Sequence, residues 1–529
     1  MSQPANPLRL GTGAGRGTLL AAILGSGMVF LDSTVVNVAL PHIGRELKAN
    51  TAGLQWTLNG YLLMLAAFVL LGGALGDRFG RRRVFVLGVV WFTAASVLCG
   101  VAQNIEWLIG ARFLQGLGGA LLTPGSLALL QSSFHPDDRS RAIGTWSGLA
   151  GVSTAIGPFV GGYLIDALSW RFIFLLNLPL AVLVVLAAYR WAPESRAARA
   201  SEDRAAQAPE GRAAQPPEGG AEAPAGTGGR LSRNPQFDLA GALLGAFALA
   251  GITFALIEVR QLGATDYPVI IAIVVGVVCA VAFVLVERRR GENAMLPPTL
   301  FGNRLFSVLN LYTVLVYAAL GGLTFFLAVQ LQVVAGYSAL LTGVANLPLT
   351  ILLLLGSSRS GALASKIGPR LQLTVGPICS AVGFLLLRGI GPHASYWTEV
   401  LPGVTLFGIG MTLVVAPLTA SVLAAVRDRF AGVASGVNNA ASRAGGLLAV
   451  AALPLLVGLT GAGYNVPAQL GAAFRSAMIW CAGLMLAGAA LAAVLVHRPR
   501  REPPPSRPCP SLPPPAYPPE PEQQHSGSR

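Results

Sequence analysis

The sequence is poor in charge. Asp, Glu, Lys and Arg make up 11% of its 529 residues against 53% hydrophobic residues, and the mean hydropathy is +0.62. One soluble core cannot absorb that much apolar surface, which excludes a soluble globular protein and leaves an all-α polytopic membrane protein as the expectation. Cysteine is scarce: Cys99, Cys279, Cys379 and Cys481 fall in apolar runs and Cys509 in a polar tail, so no disulfide framework is expected. A cleavable signal-peptide pattern is missing, because the first apolar run is long and carries an acid; it is expected to stay as a span. No nucleotide-binding P-loop occurs, so ATP is not the expected energy source, and neither a cofactor nor a metal is expected. The net charge of +14 does not indicate nucleic acid, since the arginines lie in short segments between apolar runs and in two polar tails rather than along one amphipathic face.

Apolar runs are what the chain has in abundance. At about twenty residues per crossing, fourteen spans are expected near 18–41, 56–76, 84–103, 107–130, 142–165, 171–191, 237–257, 267–287, 306–332, 339–357, 371–388, 398–423, 430–458 and 475–496. With the N-terminus in the cytoplasm, 29 of the 37 Lys and Arg residues fall inside, six outside and two within spans, which predicts both termini inside a cell membrane. The chain then divides into a cytoplasmic tail (1–17), a six-helix half (18–191), a flexible linker rich in Ala, Pro, Gly, Glu and Arg (192–236), two inserted helices (237–287), a cytoplasmic loop (288–305), a second six-helix half (306–496) and a disordered Pro-rich tail (497–529).

An internal repeat supports that division. Gly73 to Arg82 (GALGDRFGRR) recurs as Gly361 to Arg370 (GALASKIGPR), and the same register carries Arg141, Gly144, Ser147, Gly148 and Gly157 onto Arg429, Gly432, Ser435, Gly436 and Gly445. Two matches in one register mean two homologous halves with the inserted helices between them. The charges are not duplicated: Leu320 stands opposite Asp32, and Val400 opposite Arg112.

Asp32 interrupts the run from Leu19 to Pro41 near its middle. A carboxyl at that depth is costly in lipid and must face protein or a wet cavity. It is either a satisfied structural polar group or a group whose charge is set by what approaches it, burial favouring the neutral form and a guanidinium the charged one. By helix rise, Asp32 lies roughly 13 Å and Arg112 roughly 7 Å below the outer ends of their spans, an offset a long side chain can cover. Arg112 can equally be a permanent tie between helices through Gln115 and backbone carbonyls. At the cytoplasmic turn, Gly73 and Gly80 keep the backbone compact around Asp77, Arg78 and Arg82, which either latch one conformation or anchor topology by charge. Gly157-Pro158 and the Gly157/Gly161 spacing let two backbones approach, whether for generic packing or to make a tight, bent, leak-resistant helix.

Leu31 to Pro41 (LDSTVVNVALP), the Gly73 to Arg83 loop, Arg112 to Gly118 (RFLQGLG), the run from Gly148 to Gly162 ending GPFVGG, and Trp170 to Pro179 together resemble the major facilitator superfamily, and within it the fourteen-span drug:proton antiporters. In the second-half loop, Ser365 and Pro369 depart from the pattern where an acid and an arginine stand in the family. The resemblance implies the major-facilitator fold and proton-coupled export of small, mainly hydrophobic compounds such as antibiotics or toxic metabolites. Asp32 and Arg112 would couple protons, Gly73, Asp77, Arg78, Gly80 and Arg82 would form the latch, and Gly148, Gly157, Pro158, Gly161 and Gly162 the antiporter helix. Candidate cargo contacts are Asn37, Gln115, Phe325, Gln330, Asn438, Asn439 and Arg443. The expected partners are a small-molecule substrate, protons and the bilayer, with no nucleic acid and no obligate protein partner. The alternatives are an importer or facilitator of a metabolite, and a membrane receptor or scaffold acting through the linker and tail.

Overall fold

The computed structural model describes residues 7–195, 238–291, 294, 296–427, 430–459, 461 and 463–496. The linker beyond residue 195 and the Pro-rich tail lie outside the described residues.

Fourteen long helices make up the described chain: α1 (Gly13–Glu46), α2 (Thr51–Phe79), α3 (Arg81–Gly100), α4 (Ile105–Ser133), α5 (Pro136–Ala167), α6 (Phe172–Trp191), α7 (Leu239–Leu262), α8 (Tyr267–Arg290), α9 (Arg304–Val334), α10 (Ala339–Ile367), α11 (Pro369–Leu387), α12 (Tyr396–Ala424), α13 (Ala431–Leu456) and α14 (Pro467–Leu495). Thirteen of them are long and apolar enough to cross a membrane. The exception is α5, rich in Gly, Ser and Thr; its 32 residues are nonetheless ample for a crossing. This is a multi-pass membrane protein. Most helices run past the expected spans because polar residues cap them beyond the apolar stretch: Thr12, Asn50, Asn104 and Asn303 each accept a hydrogen bond from an amide of the first turn.

The repeat is visible in the packing. In the first half α1 packs on α5 and α6, α4 on α2 and α3, and α3 on α6. Shifted by eight helices, the same pairs recur: α9 packs on α13 and α14, α12 on α10 and α11, and α11 on α14. Gly80 and Gly368, matched in the repeat, make the same turn between consecutive helices, with φ of +113° and +85° that only glycine adopts without strain. The inserted pair α7 and α8 packs on itself and lies beside the α2–α13 contact between the halves. Its second helix buries little; Ile271, Val274, Val278 and Val281 face outward, as lipid-facing residues do.

Call the face carrying the start of α1 the near face and the opposite one the far face. Every described hydrogen bond between the two halves lies toward the far face. Gln332 donates to the Val38 carbonyl at 2.8 Å, Gln55 to the Val450 and Ala451 carbonyls at 2.7 and 3.0 Å, Thr51 to Gly461 at 2.8 Å and Tyr464 to Ala49 at 2.7 Å. Asp166 accepts from the Ala339 and Leu340 amides at 3.2 and 2.9 Å. The helix α7 joins the same region, where Trp56 donates to Glu258 at 2.8 Å and Asn50 to Gln261 at 2.8 Å.

Candidate functional site

Asp32 and Arg112, predicted to meet, do meet. Arg112 Nη1 donates to Asp32 Oδ2 at 2.6 Å, and both side chains are essentially inaccessible, at 1% and 0% exposure. Gln115, one turn along α4 from Arg112, donates through Nε2 to Asp32 Oδ1 at 2.7 Å and accepts from Arg112 Nη1 through Oε1 at 2.7 Å. Both carboxylate oxygens are thus satisfied by two residues of one helix. The spacing explains it, because side chains three apart on a helix share a face.

Residues that the sequence did not single out complete the site. The guanidinium also donates through Nε to the Thr57 carbonyl at 3.0 Å, and it lies 4.3 Å from the Tyr61 ring centroid and 5.8 Å from that of Phe174. A desolvated cation over an aromatic face gains about 2 kcal/mol. Ser96 accepts from Gln115 at 3.2 Å and from Asn177 at 2.9 Å, and donates to the Phe174 carbonyl at 2.9 Å. Helices α1, α2, α3, α4 and α6 therefore converge on one buried polar network around a single acid. Networks of this kind hold one geometry when every partner is present.

The other candidates separate by location. Gln115 belongs to this network, fully buried. Phe325 and Gln330 are buried too: Phe325 packs edge-on against Phe326, and Gln330 donates to the Ile390 carbonyl at 2.9 Å, so both contribute to second-half packing rather than to an open cleft. Asn37 is half-buried and donates to Ser33 in its own helix. Asn438 donates to Thr313 at 2.7 Å, whereas Asn439 is exposed and accepts from Arg443 at 3.0 Å. Arg443 of the second half is half-buried and within electrostatic reach of Tyr61 and Tyr317.

In α5, Gly157 and Gly161 face α1 and Gly162 faces α10. A Cβ would lie 2.2 Å from Thr34 Oγ1 at Gly157, 1.8 Å from Val35 Cγ2 at Gly161 and 2.5 Å from the Ala339 carbonyl oxygen at Gly162. The Pro158 carbonyl in turn sits against Gly343, where a Cβ would be 2.1 Å away. Gly148 has nothing within 4 Å and makes no such approach. Gly162→Val is expected to force α5 and α10 apart, costing about 1–3 kcal/mol as overpacking does. Thermal unfolding of the purified variant checks this; an unchanged midpoint would show that the contact is slack.

At the near-face turn, Asp77 pairs with Arg81, accepting from Nη2 at 2.8 Å and Nε at 3.0 Å, and not with Arg78 or Arg82. Arg78 lies over the Phe79 ring. Arg82 donates to the Ala192 carbonyl at 3.0 Å and lies 3.7 Å from Glu194. Glu194 itself accepts from the Arg82 amide at 3.2 Å and crowds Gly80, where a Cβ would be 2.6 Å from Oε1. Gly73 makes only a loose contact with Pro124. The turn is thus tied to the end of α6 through Glu194.

The sequence matches the Major Facilitator Superfamily over residues 22–286 and 261–450. The chain belongs to the major facilitator superfamily. Among curated relatives in the superfamily, multidrug resistance protein Stp of Mycobacterium tuberculosis is 34% identical over 82% of this chain and 74% of its own length. The puromycin resistance protein of Streptomyces alboniger is 35% identical over 82% of this chain and 80% of its own. A cephamycin export protein of Amycolatopsis lactamdurans is 31% identical over 92% and 93%. Solved structures share the fold. A bacterial homologue of the human lysosomal transporter Spinster, inward-facing and unoccupied, superposes with a TM-score of 0.61 at 18% identity, over 92% of this chain and 97% of that one. The peptide-family transporter PepTSo gives 0.62 at 14% identity, over 93% and 98%. This major facilitator protein is a transporter and not an enzyme.

Proposed function

We propose that this transporter exports small, mainly hydrophobic compounds, antibiotics or toxic metabolites among them, in exchange for protons, by rocking two six-helix halves about a central path. The observation that carries the reading is the buried acid of the first half, Asp32, held by Arg112 and Gln115 with no counterpart in the second half. A carboxylate buried against one guanidinium has two states: charged and bound, or protonated and released. Relatives named for drug resistance and for export support the direction and the cargo class.

The near face is assigned to the cytoplasm of a cell membrane, because the basic residues gather on that side. The seam at the far face then closes the outside, giving an inward-facing state. The halves span 18–191 and 306–496, with the inserted helices at 237–287. Cargo would lie between them, against Asn439 and Arg443 of α13, with Asn37 and Asn438 nearby. One proton moving across 100 mV supplies about 2.3 kcal/mol, enough for a gradient of a few tens-fold. Counterflow in inverted vesicles tests the reading: cargo should enter only when a pH gradient is imposed, and gradient-independent movement would overturn it.

In this state the partly exposed Asp77–Arg81 pair contributes about 1 kcal/mol at most. Its larger role is assigned to the alternate state, where Asp77 would latch the cytoplasmic turn. Asp77→Asn is therefore expected to leave folding and cargo affinity within about twofold while slowing turnover. Binding and flux measured side by side check it; weakened binding at normal turnover would remove the latch.

A further inference from the structure

Two more acids are buried at the near-face end of the inserted pair. Asp238 caps α7, its Oδ1 accepting from the Gly241 amide at 2.6 Å and pairing with Arg290. Glu287, in the last turn of α8, accepts from the Leu296 amide through Oε2 at 2.8 Å. The two residues are 2% and 3% exposed. Each keeps one oxygen, Asp238 Oδ2 and Glu287 Oε1, with no hydrogen-bond partner among the described residues. Those two oxygens converge on one point: a Cβ on Gly241 would lie 2.8 Å from the first and 2.6 Å from the second, and the carboxyls are within hydrogen-bonding reach of each other.

Two acceptors that meet in a buried place repel unless a positive species lies between them. No side chain among the described residues fills the gap. Arg290 is engaged with Asp238 Oδ1, and Arg288 and Arg289 point to the exterior. On the helices packed against this pair, Asp77 is paired with Arg81, Arg78 lies over Phe79, and Arg443 bonds Asn439. Glu258 and Arg260 sit at the far end of α7. Two free oxygens are also too few for a hard divalent cation, which takes about six or more.

We propose that Asp238 and Glu287 are a proton-binding site separate from Asp32: one hydrogen shared between Asp238 Oδ2 and Glu287 Oε1 that, with Arg290, fastens the near-face end of α7 to α8. The proton comes from the near-face solution and returns to it as that side turns alkaline. Two carboxylates then remain around one guanidinium, and the junction loosens. Because the folded chain holds a proton that the unfolded chain releases, the stabilisation is present at low pH and lost as pH rises.

The test uses the full-length protein, with and without Asp32→Asn, followed by infrared difference spectroscopy and by thermal unfolding across pH. In Glu287→Gln and in Asp238→Asn an amide N–H takes the place of the shared hydrogen while the remaining contacts are kept. The parent, in both backgrounds, should show a protonated-carboxyl carbonyl band that disappears on alkalisation. The folding equilibrium should weaken over the same range, by up to about tenfold per pH unit. Both signals should vanish in each amide variant. A parent without the band at any pH, a band removed by Asp32→Asn instead, or a pH slope unchanged in the amide variants would overturn the assignment. Failure of both amide variants to fold would also overturn it, since each supplies the missing donor.

Discussion

Asp32→Asn is expected to abolish pH-driven export while the protein stays folded in the membrane. The amide fills the same volume and its oxygen can still accept from Arg112, but its NH2 then faces the Gln115 Nε2 donor, so the network loses its charge and one hydrogen bond while the packing is kept. Weakening one charge-assisted bond to a neutral one costs about 1–3 kcal/mol, which a chain of this size tolerates. What the variant cannot do is bind and release a proton. With that, the proposed coupling, worth about 2.3 kcal/mol per 100 mV, should disappear, and a cargo gradient of a few tens-fold should collapse toward unity. Resistance of a susceptible host and efflux after a pH jump are the two readouts. Undiminished resistance, or efflux that ignores the pH jump in the parent, contradicts the coupling role.

The second large effect is at Arg112. Arg112→Ala leaves Asp32 buried with only Gln115, leaves the Thr57 carbonyl without its donor and uncovers the Tyr61 ring. Breaking a buried pair from one side costs about 3–5 kcal/mol, so expression and thermal stability should both drop. With the guanidinium that faces the acid removed, export should lose its normal pH profile. The double variant Asp32→Asn, Arg112→Gln separates structure from coupling. It should regain about 1–3 kcal/mol relative to the sum of the single changes and still fail to couple. If Arg112→Ala exports with an unaltered pH profile, the pair is a permanent tie between helices and nothing more.

What the sequence revealed at this site, and what it hid, follows from cost. Asp32 and Arg112 stood out because a charge inside an apolar run is expensive and therefore conspicuous. From sequence, Gln115 fits a partner of Arg112 and a cargo contact alike; in the fold both of its polar ends are used within the network. Ser96, Thr57, Tyr61 and Asn177 were not visible, because hydroxyls, amides and carbonyls in a span are cheap when locally bonded and carry no sequence signal of their own. The internal repeat is legible in the sequence, and the packing pairs of α1 to α6 recur among α9 to α14. Helix ends were less legible, since capping residues extend helices past the apolar stretch used to find them. Glu194 was hidden for another reason: it opens a segment crowded with charges, and only the turn at Gly80 distinguishes it from its neighbours.

The far-face seam has an asymmetry with a practical meaning. Apart from the Thr51 amide, which donates to the Gly461 carbonyl, each described hydrogen bond of the seam runs from a side chain of one half to a main-chain group of the other. Every residue offers the same peptide group, so at Val38, Ala339 and Val450 the bond itself does not depend on the side chain, only on packing that keeps the backbone in place, whereas Gly461, at φ +54°, is held to glycine. The donors and acceptors Thr51, Gln55, Asp166, Gln332 and Tyr464 have no such freedom. Mutational scanning should therefore find tolerance and intolerance facing each other across this line, and the few coded side chains are where an engineer would adjust how readily the two halves come apart.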